Sequence, residues 1–293
     1  MDSVDQRARA PFLLMAHHRS GSNFLHDLLQ SHPRIECINE PLSMHTRFFR
    51  QCDLVRWSEA DYDPAFLHVA MARHDGLRAY LSELRQYLLS SHADRVMGFK
   101  ETALFGKLEW LKEFLPTLKV LFLTRDPRAV VSSVLRSGLS GFWRYQDLVP
   151  RAFYEICPHY ERRGQESDPT IREAEIAAMS VAVRYEIASR TVQLFEHRLV
   201  SLEEVMRDPA ACLESMTAFL GVEPHPEAFL FLRQRQGVSR GGAFSSFRAP
   251  EDVRSTWRRH LTAGQIEVVE EVLSAAQRET PGALEARSAW GTA

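Results

Sequence analysis

Four stretches of this 293-residue sequence carry side chains able to bind a polyanion or to supply a base beside it. Residues 19–24 read Arg-Ser-Gly-Ser-Asn-Phe. Gly21 lets a backbone approach an anion closely. The amides around Ser22, Asn23 and Phe24 are the unpaired donors of a helix that begins there, and its dipole favours negative charge. Arg19 brings charge-assisted hydrogen bonds, and Ser20 brings a hydroxyl. The spacing is not G-x-x-x-x-G-K-[ST], so the ordinary nucleotide loop and its lysine are missing. Arg125 and Ser133 form a second candidate. Arg125 ends a predicted strand and Ser133 lies about two turns into the helix that follows, at ~3.6 residues per turn, so both could reach another phosphate. Lys100 supplies a third cation. Glu40 is a carboxylate of the kind that takes a proton. Taken singly, these residues also fit a capped helix with a surface arginine, a solvated lysine and a turn-capping glutamate.

Their placement argues for a site. Apolar runs at 11–16, 35–38, 96–99, 119–124 and 198–202 predict buried strands, with helical segments between them. That alternation predicts an α/β fold with a mostly parallel central sheet flanked by helices. The loop 19–24, Glu40, Lys100 and Arg125 each follow a strand. Right-handed crossovers bring strand ends to one edge, and ligands bind outside the carboxyl ends. Asp126-Pro127 and Asp208-Pro209 predict helix starts, and Gly138 and Gly221 the matching stops. Residues 42–95 read as mostly helical, with 80–92 the best helix, and 261–277 as a closing helix. Segment 139–170 reads as an irregular insertion whose Trp143, Tyr145, Phe153 and Tyr154 either line a pocket or pack. Segment 236–256 reads as a long loop. Residues 1–10 form a tail, and 11–293 a single domain. His17 and His18 end a strand and should point to opposite faces. His26 and His32 read as helix-surface residues.

Two of these stretches together resemble the sulfotransferases that use 3′-phosphoadenosine 5′-phosphosulfate (PAPS). RSGSNF (19–24) matches their 5′-phosphosulfate loop, and RDPRAVVSS (125–133) matches the register of their 3′-phosphate site. HRLVSLEEVMRDPAACLESMTAFLG (197–221) and SSFRAPEDVRSTWRRHL (245–261) extend the likeness. It implies a P-loop-like sulfotransferase fold and transfer of a sulfuryl group to a hydroxyl by in-line displacement. It also implies roles. Arg19, Ser20, Gly21, Ser22, Asn23 and Phe24 would hold the 5′ end, and Arg125 and Ser133 the 3′-phosphate. Arg240 or Arg248 would close over that phosphate, and Ser245 or Ser246 would touch the sulfonate. Arg19 and Lys100 would stabilise the transferring group. In the phenol and steroid members a Lys-Thr-His supplies a histidine base; here the stretch is FKET (99–102), with Thr102 in its place. RSGSNFLHDLLQSHPRIECINEP (19–41) instead resembles carbohydrate 6-O-sulfotransferases, which makes Glu40 the matching base. The resemblance thus implies a carbohydrate or other small-molecule alcohol as acceptor, PAPS as co-substrate and no required metal. One departure stands out: Ser201 and Leu202 occupy the place of an adenine-contacting aromatic.

Composition agrees with an enzyme of this kind. Lys+Arg number 36 against Asp+Glu 38, a net charge of −2. That excludes nucleic-acid binding driven by bulk charge. Cys37, Cys52, Cys157 and Cys212 lack zinc spacing and read as reduced thiols. No apolar stretch approaches the ~20 residues of a membrane span, and no signal core precedes residue 11, so a cytoplasmic protein is expected. Two other classes compete: a P-loop-type small-molecule kinase, which needs a loop lysine, and a non-catalytic nucleotide-binding member of the same fold.

Overall fold

The computed structural model describes residues 10–42, 57, 61–62, 75–90, 94–137, 148–161, 168–235 and 250–280. Within them β1 (Phe12–Ala16), β2 (Ile35–Asn39), β3 (Val96–Glu101), β4 (Lys119–Thr124) and β5 (Glu196–Ser201) form a parallel sheet in the order β2-β3-β1-β4-β5. Chain order reverses at β1, with β2 and β3 on one side and β4 and β5 on the other. Such a reversal opens a crevice at the carboxyl end of the first strand.

The helices that follow the first three strands are α1 (Ser22–Gln30), α2 (Asp75–Leu89) and α3 (Leu108–Phe114). Next come α4 (Pro127–Arg136), α5 (Leu148–Ile156) and α6 (Pro169–Thr191). After β5 lie α7 (Leu202–Arg207), α8 (Pro209–Leu220), α9 (Pro226–Arg235), α10 (Pro250–His260) and α11 (Ala263–Glu279). Strand side chains alternate between two faces, as a period of two requires. Phe12, Leu14, Ala16, Leu121 and Leu123 pack with α1, α7, α8 and α9. Leu13, Met15, Phe99, Val120 and Phe122 pack with α2 to α6 and α11. Because both faces are covered, the inner strands β1, β3 and β4 are buried almost throughout, whereas the edge strands β2 and β5 are not.

Among the described residues, three helices start at Asp-Pro. Asp126 accepts from the Arg128 amide, and Asp208 from the Ala211 amide. A third Asp-Pro, Asp168-Pro169, starts α6 in the same way. Gly221, at φ 76°, ends α8 as expected; Gly138 lies outside the described residues. The best helix of 42–95 starts earlier than its apolar periodicity indicated, at Asp75.

Three expectations need correcting. The insertion 139–170 is not irregular throughout: α5 buries Val149, Ala152 and Phe153, so Phe153 is core. The loop 236–256 is helical from Pro250. His32 is 1% exposed rather than on a helix surface. It sits beyond the end of α1, its Nε2 2.8 Å from the Glu223 carbonyl and its Nδ1 accepting from the Arg34 amide. Residues 1–9, Cys52, Trp143 and Tyr145 lie outside the described residues. Cys37, Cys157 and Cys212 are free thiols. No helix among the described residues is long and apolar enough to cross a membrane.

Phe12 and Gly98 are direct partners across β1 and β3. A Cβ at residue 98 would stand 2.3 Å from ring carbons of Phe12. Gly98→Ala should therefore destabilise the protein by about 1–3 kcal/mol, the usual cost of overpacking a tight core, measured by urea unfolding.

Candidate functional site

The carboxyl edge of the sheet gathers the predicted residues into two clusters. The first centres on Lys100, at the end of β3 and only 1% exposed. Its ammonium lies 2.9 Å from Glu40 Oε1 and donates to Asn23 Oδ1 at 2.7 Å. The Thr102 hydroxyl donates to the same Glu40 oxygen at 3.3 Å. The residue that replaces the expected histidine thus touches the candidate base.

The second cluster joins the first loop to the strand-ending arginine. Arg125 donates to the Arg19 carbonyl at 2.8 Å, and Arg19 Nε donates to Ser133 Oγ at 3.1 Å. Sequence order grouped Arg19 with Lys100; the fold sets its guanidinium against Ser133 and beside Arg125. The two segments expected to hold separate phosphates are therefore in direct contact. Arg125 is itself buried, its backbone paired with the Tyr185 hydroxyl.

Between the clusters runs the loop. Gly21 has φ 90° and caps α1 without any side-chain bond, and no acidic residue occupies the first turn of the helix. The Phe24 amide is committed to the Gly21 carbonyl, and the Phe24 ring lies 6.1 Å from Phe231. The Phe24 ring therefore packs against α9, and its amide already has an acceptor. Among the described residues, the amides of Ser22 and Asn23 have no acceptor. Open amides, a left-handed glycine and three nearby cations suit an anion. A Cβ at residue 21 would come within 2.8 Å of the Leu202 side chain. This accounts for Leu202 and its neighbour: Leu202 packs under the loop, while Ser201 caps α7 through the Glu204 amide.

Arg19 and Glu40 are the non-glycine residues with positive φ among those described, at 71° and 47°. Backbone strain of this kind collects where side-chain aim matters. The turn at Arg19 also overturns the expectation for His17 and His18. Strand alternation stops at Ala16, so the two rings lie 4.0 Å apart instead of on opposite faces. Burial, with the Arg184 charge adding, lowers His17 to about 3. Burial, then the charges of His17, Arg184 and Arg19, also holds His18 well below the usual range. Neutral His18 accepts from Arg184 through Nδ1 at 2.8 Å.

Arg184 continues into a buried network that sequence reasoning missed. Its other nitrogen meets Asp61 at 3.1 Å, and Asp61 also pairs with Lys107. Burial lowers the Lys107 pKa despite Asp61. The available signal was charge inside apolar periodicity: Lys107 sits among Phe105 and Leu108, and Arg184 on the buried face of α6. Among the described residues no group of three or more His, Cys, Asp or Glu side chains forms a metal-holding cluster. Arg240, Ser245, Ser246 and Arg248 lie outside the described residues. The helix that follows them is anchored close by, with Trp257 of α10 stacked on Arg128 of α4 at 4.6 Å.

The Sulfotransferase family model matches residues 11–227, which include both clusters. The chain belongs to the sulfotransferase family. Among solved structures it is similar to the sulfotransferase domain from the olefin synthase of Synechococcus PCC 7002. That likeness has 17% identity, a TM-score of 0.50 and coverage of 92% of this chain and 96% of that one. It matches the sulfotransferase domain from the curacin biosynthetic pathway at 14% identity and TM-score 0.48, covering 91% and 98% of the two chains. It matches a sulfotransferase from Alicyclobacillus acidocaldarius at 16% and 0.43, covering 93% and 100%. A search of curated proteins gave no match. At such identities the first of these structures speaks for the α/β fold, and the family assignment rests on the matched sequence.

Two outcomes follow from this geometry. A left-handed L-residue costs roughly 1–2 kcal/mol, and glycine's extra unfolded-state entropy offsets about 0.5–1 of that. Glu40→Gly should therefore be about 0.5–1 kcal/mol more stable than Glu40→Ala in urea unfolding, since both lose the Lys100 contact equally. The second concerns Glu101, which is 1% exposed beside Glu40. Burial, reinforced by the Glu40 charge, pushes its carboxyl up to about 8 from 4.5, against the Leu42 amide and both nearby lysines. Between those values the folded chain holds a proton that the unfolded chain has released. Stability from this group is full below about 4.5 and is lost as pH rises to about 8. Glu101→Gln should flatten that decline in unfolding measured at pH 5, 6.5 and 8.

Proposed function

We propose that this sulfotransferase moves the sulfuryl group of PAPS to a hydroxyl of a carbohydrate or other small-molecule alcohol. The observation that carries this reading is the placement of Lys100. It bridges Glu40 and Asn23 while the same loop's other end meets Arg125 and, through Arg19, Ser133. One continuous strip of the sheet edge thus offers a base, a loop for a 5′-phosphosulfate and a cationic seat for a 3′-phosphate.

In this reading the acceptor oxygen attacks sulfur in line, the bond from sulfur to the 5′-phosphate oxygen breaks, and adenosine 3′,5′-bisphosphate leaves. Glu40 accepts the acceptor's proton. Its side chain is 34% exposed, so an incoming hydroxyl can reach it. Lys100 is placed to follow charge from the transferring oxygens onto the leaving phosphate, as cations do in phosphoryl transfer. The open amides of Ser22 and Asn23, with Ser20 and Gly21, hold the 5′-phosphate. Arg125, Ser133 and Arg19 hold the 3′-phosphate, the group that separates this donor from ATP. Arg240 or Arg248 completes that seat.

Thermal unfolding with adenosine 3′,5′-bisphosphate, ADP and Mg-ATP tests the donor. At ~100 times its dissociation constant a ligand stabilises by ~2.7 kcal/mol. The expected result is a shift with the 3′,5′-bisphosphate that is lost in Arg125→Ala and weakened in Ser133→Ala. A shift with Mg-ATP and none with the bisphosphate would sink the proposal. Glu40→Gln should keep the shift and lose about 10²–10⁴-fold in transfer rate, the usual worth of a general base.

A further inference from the structure

Nothing local to residues 40–42 selects the backbone conformation that Glu40 adopts. Its φ of 47° is a region that side-chain-bearing residues avoid. Pro41 biases the residue before it toward extended geometry, which is different again. The conformation is instead imposed from outside, at four backbone atoms. The Glu40 amide donates to the Lys100 carbonyl at 2.8 Å. The Tyr80 hydroxyl, from α2, donates to the Pro41 carbonyl at 2.9 Å. The Leu42 amide donates to Glu101 Oε1 at 2.5 Å. Trp57 Nε1 donates to the Leu42 carbonyl at 3.0 Å. Leu42, Trp57 and Glu101 are each 1% exposed, so water cannot take over the two bonds to Leu42. The turn is thereby gripped on both sides of its proline by β3, by α2 and by Trp57.

We infer that Tyr80, Trp57 and Glu101 are positioning residues for Glu40. They lock the turn so that its carboxylate lands on Lys100 and Thr102 rather than swinging free of the sheet edge. The side chains act through the backbone of 40–42 and not on the reacting atoms. The functional meaning of the lock rests on the proposed role of Glu40; the lock itself does not.

A thermodynamic cycle separates the two. In the otherwise native chain, Glu40→Gly should melt about 2 °C above Glu40→Ala, because glycine tolerates the imposed φ. In a Tyr80→Phe, Glu101→Leu background two of the four bonds are gone, and that advantage should shrink by at least half. Glu101→Gln keeps an amide oxygen for the Leu42 amide and should preserve it. An undiminished advantage in the double-substituted background would overturn the inference. If that background does not fold, Tyr80→Phe alone, which removes one hydroxyl and little volume, carries the same cycle. A reduced advantage there supports the lock, and an unchanged one overturns it. Turnover of PAPS supplies the companion readout: Tyr80→Phe should lower the rate at least tenfold while the thermal shift with adenosine 3′,5′-bisphosphate stays. A rate left unchanged would overturn the positioning role. If Glu40→Gln leaves turnover unchanged, the base assignment fails and the melting cycle still decides the lock.

Discussion

A buried ammonium organises this protein's sheet edge. Lys100 is the last residue but one of β3 with 1% of its surface exposed, and a buried charge is tolerated only when paired. Its partners come from two different connections: Glu40 from the turn after β2, and Asn23 from the first turn of α1. Satisfying one lysine therefore fixes the carboxylate and the anion-suited loop relative to each other. Much of the surrounding structure can be understood as what that requirement demands.

The loop must pass close over the sheet, and it does so by having no side chain at Gly21, where Leu202 fills the space. It must also turn sharply after β1, and Arg19 takes a left-handed conformation to do so. That turn throws the Arg19 carbonyl toward Arg125 and its guanidinium toward Ser133. Beneath it, neutral His18 and the Arg184–Asp61–Lys107 network support the turn from below with charges that are mutually paired. On the far side Trp257 and Asp126 hold Arg128, so α10 returns the chain to the start of α4. Separate sets of charged contacts thus support the edge on each side of β1.

Chemistry-bearing residues were legible because the topology is regular. In a parallel sheet every strand's end reaches the same edge, so reading the residue after each strand finds Arg19, Glu40, Lys100 and Arg125 without coordinates. Helix starts were legible for a similarly local reason, since Asp-Pro acts within its own turn. Illegible were the residues that act on these from a distance. Glu101 drew no role within FKET (99–102), Trp57 belongs to no motif, and Tyr80 only opens the helix read over 80–92. Leu202 looked like a defect at an adenine position. Their significance lies in what they touch, and no spacing rule encodes a contact between residues 80 and 41 or between 202 and 21.

By itself, then, the sequence determined the α/β alternation, the edge where the charged groups gather, the family and the identities of those groups. These depend on period, order and short-range capping, all of which are written along the chain. Tertiary structure alone decided how those groups pair. Lys100 chose Glu40 and Asn23, Arg19 turned to Ser133, and residues 40–42 took a conformation that their own types disfavour. Such choices are made by desolvation and by hydrogen bonds between distant segments, which exist only once the sheet has brought the strand ends together.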